Sequence, residues 1–129
     1  MTTDIEQYIP QRKPFEFIDT IDEVSATTAR TRFTVTDDCV LVCEGILPLS
    51  GLMENAAQTC AVRAGNKIGY IGAVKQMKAT RLPRIGETLR TEATVAQEVL
   101  NICLMDVVTY VEDEQIASTT LKIATIENE

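Results

Sequence analysis

The sequence contains no histidine, the side chain that proteins most often use as a general base near neutral pH. This absence also weakens the case for a metal site. Cys39 and Cys43 form one close pair of thiols, but two thiols without histidine or a second close pair fall short of a zinc site. We therefore expect no bound metal and no histidine chemistry from this chain.

Long apolar runs and a secretion signal are missing as well. No stretch approaches the roughly 20 apolar residues of a membrane-spanning helix, and residues 1–6 lack the basic and then apolar regions of a signal peptide. We therefore expect a cytoplasmic protein whose cysteines, including Cys60 and Cys103, are free thiols. At 129 residues and 45% hydrophobic, the chain is predicted to fold as one domain over residues 1–129.

Basic residues are outnumbered, since 12 Lys and Arg stand against 19 Asp and Glu, for a net charge of −7. This balance argues against general nucleic-acid binding, which needs a basic face. The basic residues are nevertheless concentrated, because residues 63–84 hold six of them and no acid. The concentration predicts a positive patch for an anionic partner or a phosphate-bearing ligand, although a solvated strand face explains it equally well.

Alternation of apolar and polar residues predicts several β-strands. Near the end of the chain, for example, Leu121 and Ile123 fall on one face while Lys122 falls on the other. This pattern is typical of a sheet with one wet face. The predicted strands are residues 29–36, 69–80, 87–97, 100–111 and 115–126, with turns at residues 83–86 and 112–114.

Residues 52–64 depart from this alternation because their apolar side chains recur at helical spacing. Ser50 is the predicted N-cap, and residues 65–66, Gly and Asn, are the predicted stop. The helix is apolar and carries only two charged residues, Glu54 and Arg63, so we expect it to be enclosed. One apolar helix among strands predicts an α+β fold, with the helix wrapped by a curved antiparallel β-sheet.

Glu54 is the residue that this layout leaves unexplained. A carboxylate on the first turns of an enclosed helix is costly to desolvate unless it is paired or has chemistry to perform. The helix dipole offsets roughly 0.3–1 kcal/mol of that cost, so an ordinary solvent-facing acid is the alternative. Gln58 lies four residues later on the same face, where it would hold the carboxylate or a ligand by hydrogen bonding. Glu54 and Gln58 are therefore the candidate catalytic residues.

Four segments resemble the 3-hydroxyacyl-ACP dehydratases of fatty-acid synthesis, in that family's order and spacing. Residues 9–19 (Ile-Pro-Gln-Arg-Lys-Pro-Phe-Glu-Phe-Ile-Asp) are similar to the family's opening, Leu-Pro-His-Arg-Tyr-Pro-Phe followed by an apolar pair and Asp. Pro48 and residues 51–58 (Gly-Leu-Met-Glu-Asn-Ala-Ala-Gln) are similar to its central helix. Residues 72–75 (Gly-Ala-Val-Lys) and 81–87 (Arg-Leu-Pro-Arg-Ile-Gly-Glu) resemble the strand and turn that follow it.

The resemblance implies a hot-dog fold, in which two subunits join their sheets and form active sites at the interface. A homodimer is the expectation, with a heterodimer containing an active homologue as the alternative. The resemblance also implies an acyl substrate carried as a thioester on phosphopantetheine, in acyl carrier protein or CoA, with no cofactor of the protein's own. The corresponding process is fatty-acid or polyketide-like acyl-chain biosynthesis.

The resemblance assigns roles to particular residues. Glu54 takes the place of the acid that assists loss of the C3 hydroxyl group. Backbone N–H groups at the helix start would bind the thioester oxygen, and basic residues near the pocket mouth would contact the acidic carrier or the pantetheine phosphate. The residues expected to bind the substrate or its carrier are Gly51, Leu52, Lys75, Lys78 and Arg81.

The family's base, a histidine in a Gly-His-Phe-Pro stretch before the acid, is missing. On an ungapped count Val40 takes its slot, and Gln11 replaces the histidine of the opening segment. The neighbouring thiols of Cys39 and Cys43 are poor bases at neutral pH without a positive neighbour. Three interpretations remain open: a dehydratase-like enzyme with altered chemistry, a catalytically silent partner of an active homologue, and a hot-dog thioesterase that uses Glu54 as nucleophile or base.

Overall fold

One α-helix and six β-strands make up the part of the chain that the computed structural model describes, residues 5–64 and 68–126. The helix, α1, is Leu49–Ala64, and a short 3-10 turn, Ile5–Gln7, precedes the first strand. The strands are β1 (Thr20–Val24), β2 (Thr28–Thr34), β3 (Ile68–Ala79), β4 (Thr88–Val99), β5 (Ile102–Val111) and β6 (Glu114–Ile126). Within these two ranges, no helix has the length and apolar character needed to cross a membrane.

All six strands form one antiparallel sheet in the order β1-β2-β4-β5-β6-β3. Strand β5 shows the alternation that produces it, because Cys103, Met105 and Val107 are buried while Leu104 and Asp106 are less so. Successive side chains of a strand point to opposite faces, so one face of the sheet is covered and the other is wet. The prediction of an α+β fold with one helix packed on an antiparallel sheet is confirmed.

The covered face of the sheet packs against α1. Leu52, Ala56 and Cys60 of the helix are buried, as are Leu89 of β4 and Leu121 of β6 on the facing strands. Each fully buried leucine contributes roughly 1.5–3 kcal/mol relative to an exposed one. This apolar contact holds the helix in place and thereby sets the position of every side chain that the helix carries.

Gly51 permits a close approach at the start of the helix. A Cβ atom at this position would lie 2.4 Å from Cδ1 of Leu47, and the Leu47 side chain is fully buried. Any larger residue would displace Leu47 from the core, where close packing leaves little room for adjustment. Glycine is therefore required here for packing.

The prediction of Ser50 as the N-cap is wrong, because α1 begins at Leu49. The Pro48 carbonyl accepts a hydrogen bond from the Leu52 N–H at 3.2 Å, so Pro48 itself stands at the cap position. Proline is tolerated at this position because it has no N–H, and an N–H at the cap would have no partner within the helix. Ser50 is exposed within the first turn, and the predicted stop at residues 65–66 lies outside the described residues.

Two further differences concern the strands. Strand β1 is not among the predicted strands, because Ile21 is the only fully buried residue of its five and the alternation is too short to recognise. The strand predicted at residues 100–111 begins instead at Ile102, because Leu100 and Asn101 form the turn between β4 and β5. The other four predicted strands match β2, β3, β4 and β6 to within two residues at each end.

Strand β3 lies at one edge of the sheet. Among the described residues it is hydrogen-bonded only to β6, so its other side carries backbone groups without partners in the sheet. Ile71 and Val74 are each 46% exposed at this edge. In register they pair with Ile123 and Leu121, which places them on the helix side of the sheet. An exposed edge with apolar side chains is a surface that natural proteins usually cover.

We predict that β3 pairs along this edge with a second subunit. Replacing both Ile71 and Val74 by lysine should favour the monomer, because like charges would meet at the joined edge. Light scattering at micromolar concentration should give twice the chain mass of 14.2 kDa for the unaltered protein and a single chain mass for the variant.

The matched control is Leu82→Lys, which changes an exposed apolar residue outside β3 and should leave the dimer intact. A stable monomer of the unaltered protein at micromolar concentration would contradict the prediction.

Candidate active site

Glu54 lies in the second turn of α1 and is half-buried. Its Oε1 accepts a hydrogen bond from Nε2 of Gln58 at 3.0 Å. The residues predicted to form a site are therefore in contact, and Glu54 is neither a freely solvated acid nor one that is sealed in the core. Its second carboxylate oxygen, Oε2, is not engaged by Gln58.

Gln58 uses its whole amide group to hold the structure together, and only 1% of the residue is exposed. Its Oε1 accepts the Phe17 N–H at 2.7 Å, and its Nε2 donates to the Phe15 carbonyl at 2.9 Å as well as to Glu54. Because a backbone N–H can only donate, Oε1 must face Phe17 and Nε2 must face Glu54. Both amide hydrogens are thus used within the chain, so Gln58 holds the carboxylate and has no donor left for a ligand.

Asn55 repeats this pattern one turn earlier on the helix. Its Nδ2 donates to the Phe17 carbonyl at 2.8 Å, and its Oδ1 accepts the Thr91 hydroxyl of β4 at 2.7 Å. Thr59 adds a contact to the Thr31 hydroxyl of β2 at 2.8 Å. The helix is therefore poor in charge but not purely apolar. Its buried polar side chains tie the segment around Phe17 to the helix and the helix to the sheet, and the predicted description of an apolar helix needs this correction.

The amides proposed for the thioester oxygen are both engaged inside the chain. The Gly51 N–H donates to the Pro48 carbonyl at 2.9 Å, and the Leu52 N–H donates to the same oxygen at 3.2 Å. A ligand oxygen would have to share or displace the Pro48 carbonyl to reach them. Their role as donors to a substrate stays a prediction.

The basic residues expected at the pocket mouth are not brought to Glu54. Lys75 and Lys78 pair in register with Thr120 and Ser118 of β6, on the face of the sheet that is turned away from α1. Neither lysine has an ion pair among residues 5–64 and 68–126. Their contact with a carrier stays a prediction.

Arg81, by contrast, is already engaged. Its Nη1 and Nη2 donate to the two oxygens of Glu87 at 2.8 and 2.9 Å, and its Nε donates to Glu114 at 3.2 Å. These hydrogen bonds from Arg81 lower the pKa of Glu87. The guanidinium thus braces the turn before β4 against the start of β6, and an anionic ligand would have to compete with two carboxylates for it.

A model of the ApeP-like family, described as ApeP dehydratase, matches residues 3–127. The chain belongs to the ApeP-like dehydratase family. The dehydratase resemblance seen in the sequence is confirmed at this level, whereas the fatty-acid-synthesis type stays a prediction. Among curated proteins, none matches the sequence of this chain.

Solved structures similar to this ApeP-like chain establish its fold as the hot-dog fold. A chain of "The Dehydratase Heterocomplex ApeI:P from Xenorhabdus doucetiae" has a TM-score of 0.89 at 13% identity, covering 99% of this chain and 94% of that one. The smu.793 protein from Streptococcus mutans, bound to acetyl CoA, has a TM-score of 0.78 at 13% identity, covering 95% and 98%. A hypothetical thioesterase with coenzyme A from Streptococcus pneumoniae has a TM-score of 0.73 at 13% identity, covering 84% and 86%.

Two of the four cysteines of this ApeP-like chain are unsuited to replace the absent histidine as a base. Cys60 and Cys103 are buried in the core, and burial raises the pKa of Cys60 to about 12 and also raises the pKa of Cys103. Val40, in the histidine's slot, is exposed, and Cys39 and Cys43 are free thiols near it. Across the described parts of the chain, no group of three or more acidic or cysteine residues is placed to hold a metal ion.

Sequence reasoning missed the segment that Gln58 and Asn55 hold. The segment consists of Phe15, Glu16 and Phe17. The ring of Phe17 stacks on that of Phe33, with the ring centroids 5.2 Å apart. The available signal was the pair of amide side chains on an otherwise apolar helix, since buried amides need partners. The position of those partners, about 40 residues earlier in the chain, has no counterpart in local sequence patterns.

Glu16 faces a cavity of about 320 Å³ beside this segment. Burial, reinforced by repulsion from Glu6, raises the pKa of Glu16, and its Oε2 atom is buried without a hydrogen-bond partner among the residues that the structure describes. The cavity is lined by Lys13, Pro14, Glu16, Asp19, Phe33, Thr34, Thr36, Asp38 and Cys39. Glu16 is thus a second shielded carboxylate on the segment that Gln58 holds.

We predict that Gln58 is essential for the placement of this segment. Gln58→Ala leaves the Phe17 N–H and the Phe15 carbonyl without their partner, which should lower the free energy of unfolding by about 3 kcal/mol. Gln97→Ala removes the same group from an exposed position and should change stability by less than about 0.5 kcal/mol.

Urea denaturation of the two variants measures both values. If both substitutions change the free energy of unfolding by the same small amount, the buried amide of Gln58 does not stabilise the protein as predicted.

Proposed function

We propose that this chain is the acid-bearing subunit of a dehydratase that acts on 3-hydroxyacyl thioesters in fatty-acid or polyketide-like acyl-chain biosynthesis. The observation that carries the proposal is Glu54, a half-buried carboxylate held by Gln58, in a dehydratase-family chain without histidine. The family supports the reaction class, and the hydrogen bond from Gln58 supports Glu54 as the residue that takes part in the reaction.

The reaction needs an acid and a base on opposite sides of the C2–C3 bond. The base removes the C2 proton, the electron pair forms the C2–C3 double bond, and the C3–O bond breaks. Glu54 donates a proton to the departing oxygen, so that water leaves and an enoyl thioester remains. Gln58 donates to Oε1 of Glu54, which makes Oε2 the oxygen that carries and delivers the proton.

We propose that the base comes from a second subunit. The sequence has no histidine, and its buried thiols at Cys60 and Cys103 are unsuited to the task. The edge of β3, along which we predict that the chain pairs with its own copy when alone, is also where a histidine-bearing hot-dog subunit would take the place of that copy. The similar structure from Xenorhabdus doucetiae, described as a dehydratase heterocomplex, supports pairing between unlike subunits.

The substrate form we propose is an acyl thioester on phosphopantetheine, carried by acyl carrier protein or CoA. Two of the similar structures contain coenzyme A or acetyl CoA, which supports a thioester ligand for this fold. A thioesterase remains the competing reaction, because it would need the same substrate and the same carboxylate but would release a thiol.

The test mixes the purified chain with a histidine-bearing dehydratase subunit from the same genome. A 3-hydroxyacyl thioester is supplied, and enoyl product and free thiol are measured for each subunit alone and for the mixture. We expect enoyl formation by the mixture and none by this chain alone. Glu54→Gln should lower the rate of enoyl formation by the mixture by about 100-fold or more, while the stability of the variant chain remains unchanged.

Glu44→Gln is the matched control, because it makes the same change at an exposed position before the helix. Thiol release that depends on Glu54 would favour the thioesterase. Full activity of the mixture with Glu54→Gln would leave this chain as a catalytically silent partner.

A further inference from the structure

Apolar side chains are exposed together at the end of the β4–β5 hairpin. Val99 is 58%, Leu100 95% and Ile102 40% exposed, and Leu104 is partly buried beside them. Val99 pairs with Ile102 across the hairpin, so the two side chains lie on the same face. Single exposed apolar residues are ordinary, but a contiguous group of four marks an interaction surface. We call these four residues the tip patch.

A β-bulge turns the tip patch outward. Up to Val95, the odd-numbered residues of β4 face the helix, and the register shifts between Val95 and Gln97. Beyond the shift, Val99 lies on the outer face while Glu98 pairs with the buried Cys103 and forms an ion pair with Arg63 at 3.0 Å. An uninterrupted strand would have turned Val99 inward, so the bulge moves this apolar side chain to the outer face and moves Glu98, whose side chain stays 45% exposed, to the helix side.

Leu100 shows that the exposure is not a by-product of folding. Its φ of 56° is the left-handed conformation, which glycine or asparagine adopts more readily than leucine. Its side chain is 95% exposed and therefore gains almost nothing from burial. A leucine at this turn costs conformational energy without contributing to the core, which is expected when it contacts another molecule.

Two lysines border the tip patch. Lys122 is paired in register with Leu104, and Lys75 lies on the neighbouring edge strand β3. Together with Gln97, Val99, Ile102 and Leu104 they line a cavity of about 210 Å³. Neither lysine has an ion pair within the described residues, and the nearby acid Asp106 accepts a hydrogen bond from Thr120 at 2.8 Å.

We propose that the tip patch docks an acidic protein partner. The partner inserts an apolar side chain into the cavity beside Leu104 and Ile102 and places carboxylates against Lys75 and Lys122. Unpaired cations around an apolar centre are complementary to such a surface, on a chain whose net charge of −7 would otherwise repel it. The tip patch lies on the outer face of the sheet, away from Glu54, so this inference does not depend on the proposed reaction.

A lipid surface fits the tip patch less well. Recognition of anionic membranes generally uses clusters of four to eight basic residues, whereas two lysines border this patch and the chain is acidic overall. The concave site between Lys75 and Lys122 is also of the size that takes a side chain, which a bilayer does not require.

The experiment uses a synthetic helical peptide that carries one leucine, with glutamates three and four residues away on both sides. A second peptide, the lysine peptide, has lysines in place of the glutamates. Titration of the isotope-labelled protein, followed by nuclear magnetic resonance, should shift signals of residues 97–104, Lys75 and Lys122. The glutamate peptide should bind at least tenfold more tightly than the lysine peptide, and this ratio of affinities should be larger at low salt.

Charge reversal of both Lys75 and Lys122 to glutamate should invert this preference. Lys13→Glu is the matched control, because Lys13 is an exposed lysine that lines a different cavity and should leave the preference unchanged. Equal affinity for the two peptides, or shifts confined to other surfaces, would overturn the proposal. If the protein binds phosphatidylglycerol vesicles through Leu100 and does not bind the peptide, the surface recognises lipid and the proposal is overturned. If the protein instead associates with itself through Leu100, the surface recognises a second copy of the chain and the proposal is likewise overturned.

Discussion

The structure depends on one buried amide. Gln58 accepts a hydrogen bond from Phe17, donates to Phe15 and donates to Glu54, so three parts of the molecule meet at a single side chain. A buried amide of this kind is stable only when its donors and acceptor are matched, because each unmatched group costs roughly 1–3 kcal/mol. The requirement fixes the early segment over the helix and fixes the carboxylate beside it. The fold and the proposed function therefore both depend on this contact.

The same constraint leaves Glu54 with one oxygen held by the chain and one available for the proposed reaction. Oε1 is held by Gln58, while Oε2 is not engaged by it, and the helix that carries both is set in place by Leu52, which packs with Leu89 in the core. In the proposed reaction this carboxylate is one half of an acid–base pair. Strand β3 forms an edge of the sheet, and Ile71 and Val74 are exposed on the helix side of this edge. A second subunit that joins the sheet along β3 would bring the base.

Much of the fold was predictable because it follows local rules. Alternation located β2, β3, β4 and β6, and helical spacing located α1, since each pattern reflects which face is covered. The site was predictable in part: Glu54 and Gln58 are four residues apart on one helix, whereas Phe15 and Phe17 reach them only through the tertiary fold. The helix N-cap was wrongly predicted at Ser50 because serine is a common capping residue, whereas the residue before the first turn is Pro48. The bulge before Gln97 was also beyond prediction, because one extra residue reverses the faces without changing composition.

In the function proposed for this chain, Glu54 supplies the acid of a site that another subunit completes. The most direct measurement is the dehydration rate of a complex in which the histidine-bearing subunit has lost its own acid through substitution by glutamine. We expect this complex to form enoyl thioester with the unaltered chain and to fail to do so with Glu54→Gln, although both complexes assemble equally. Equal rates with the two forms of the chain, or no activity with either when the intact partner is active, would contradict it.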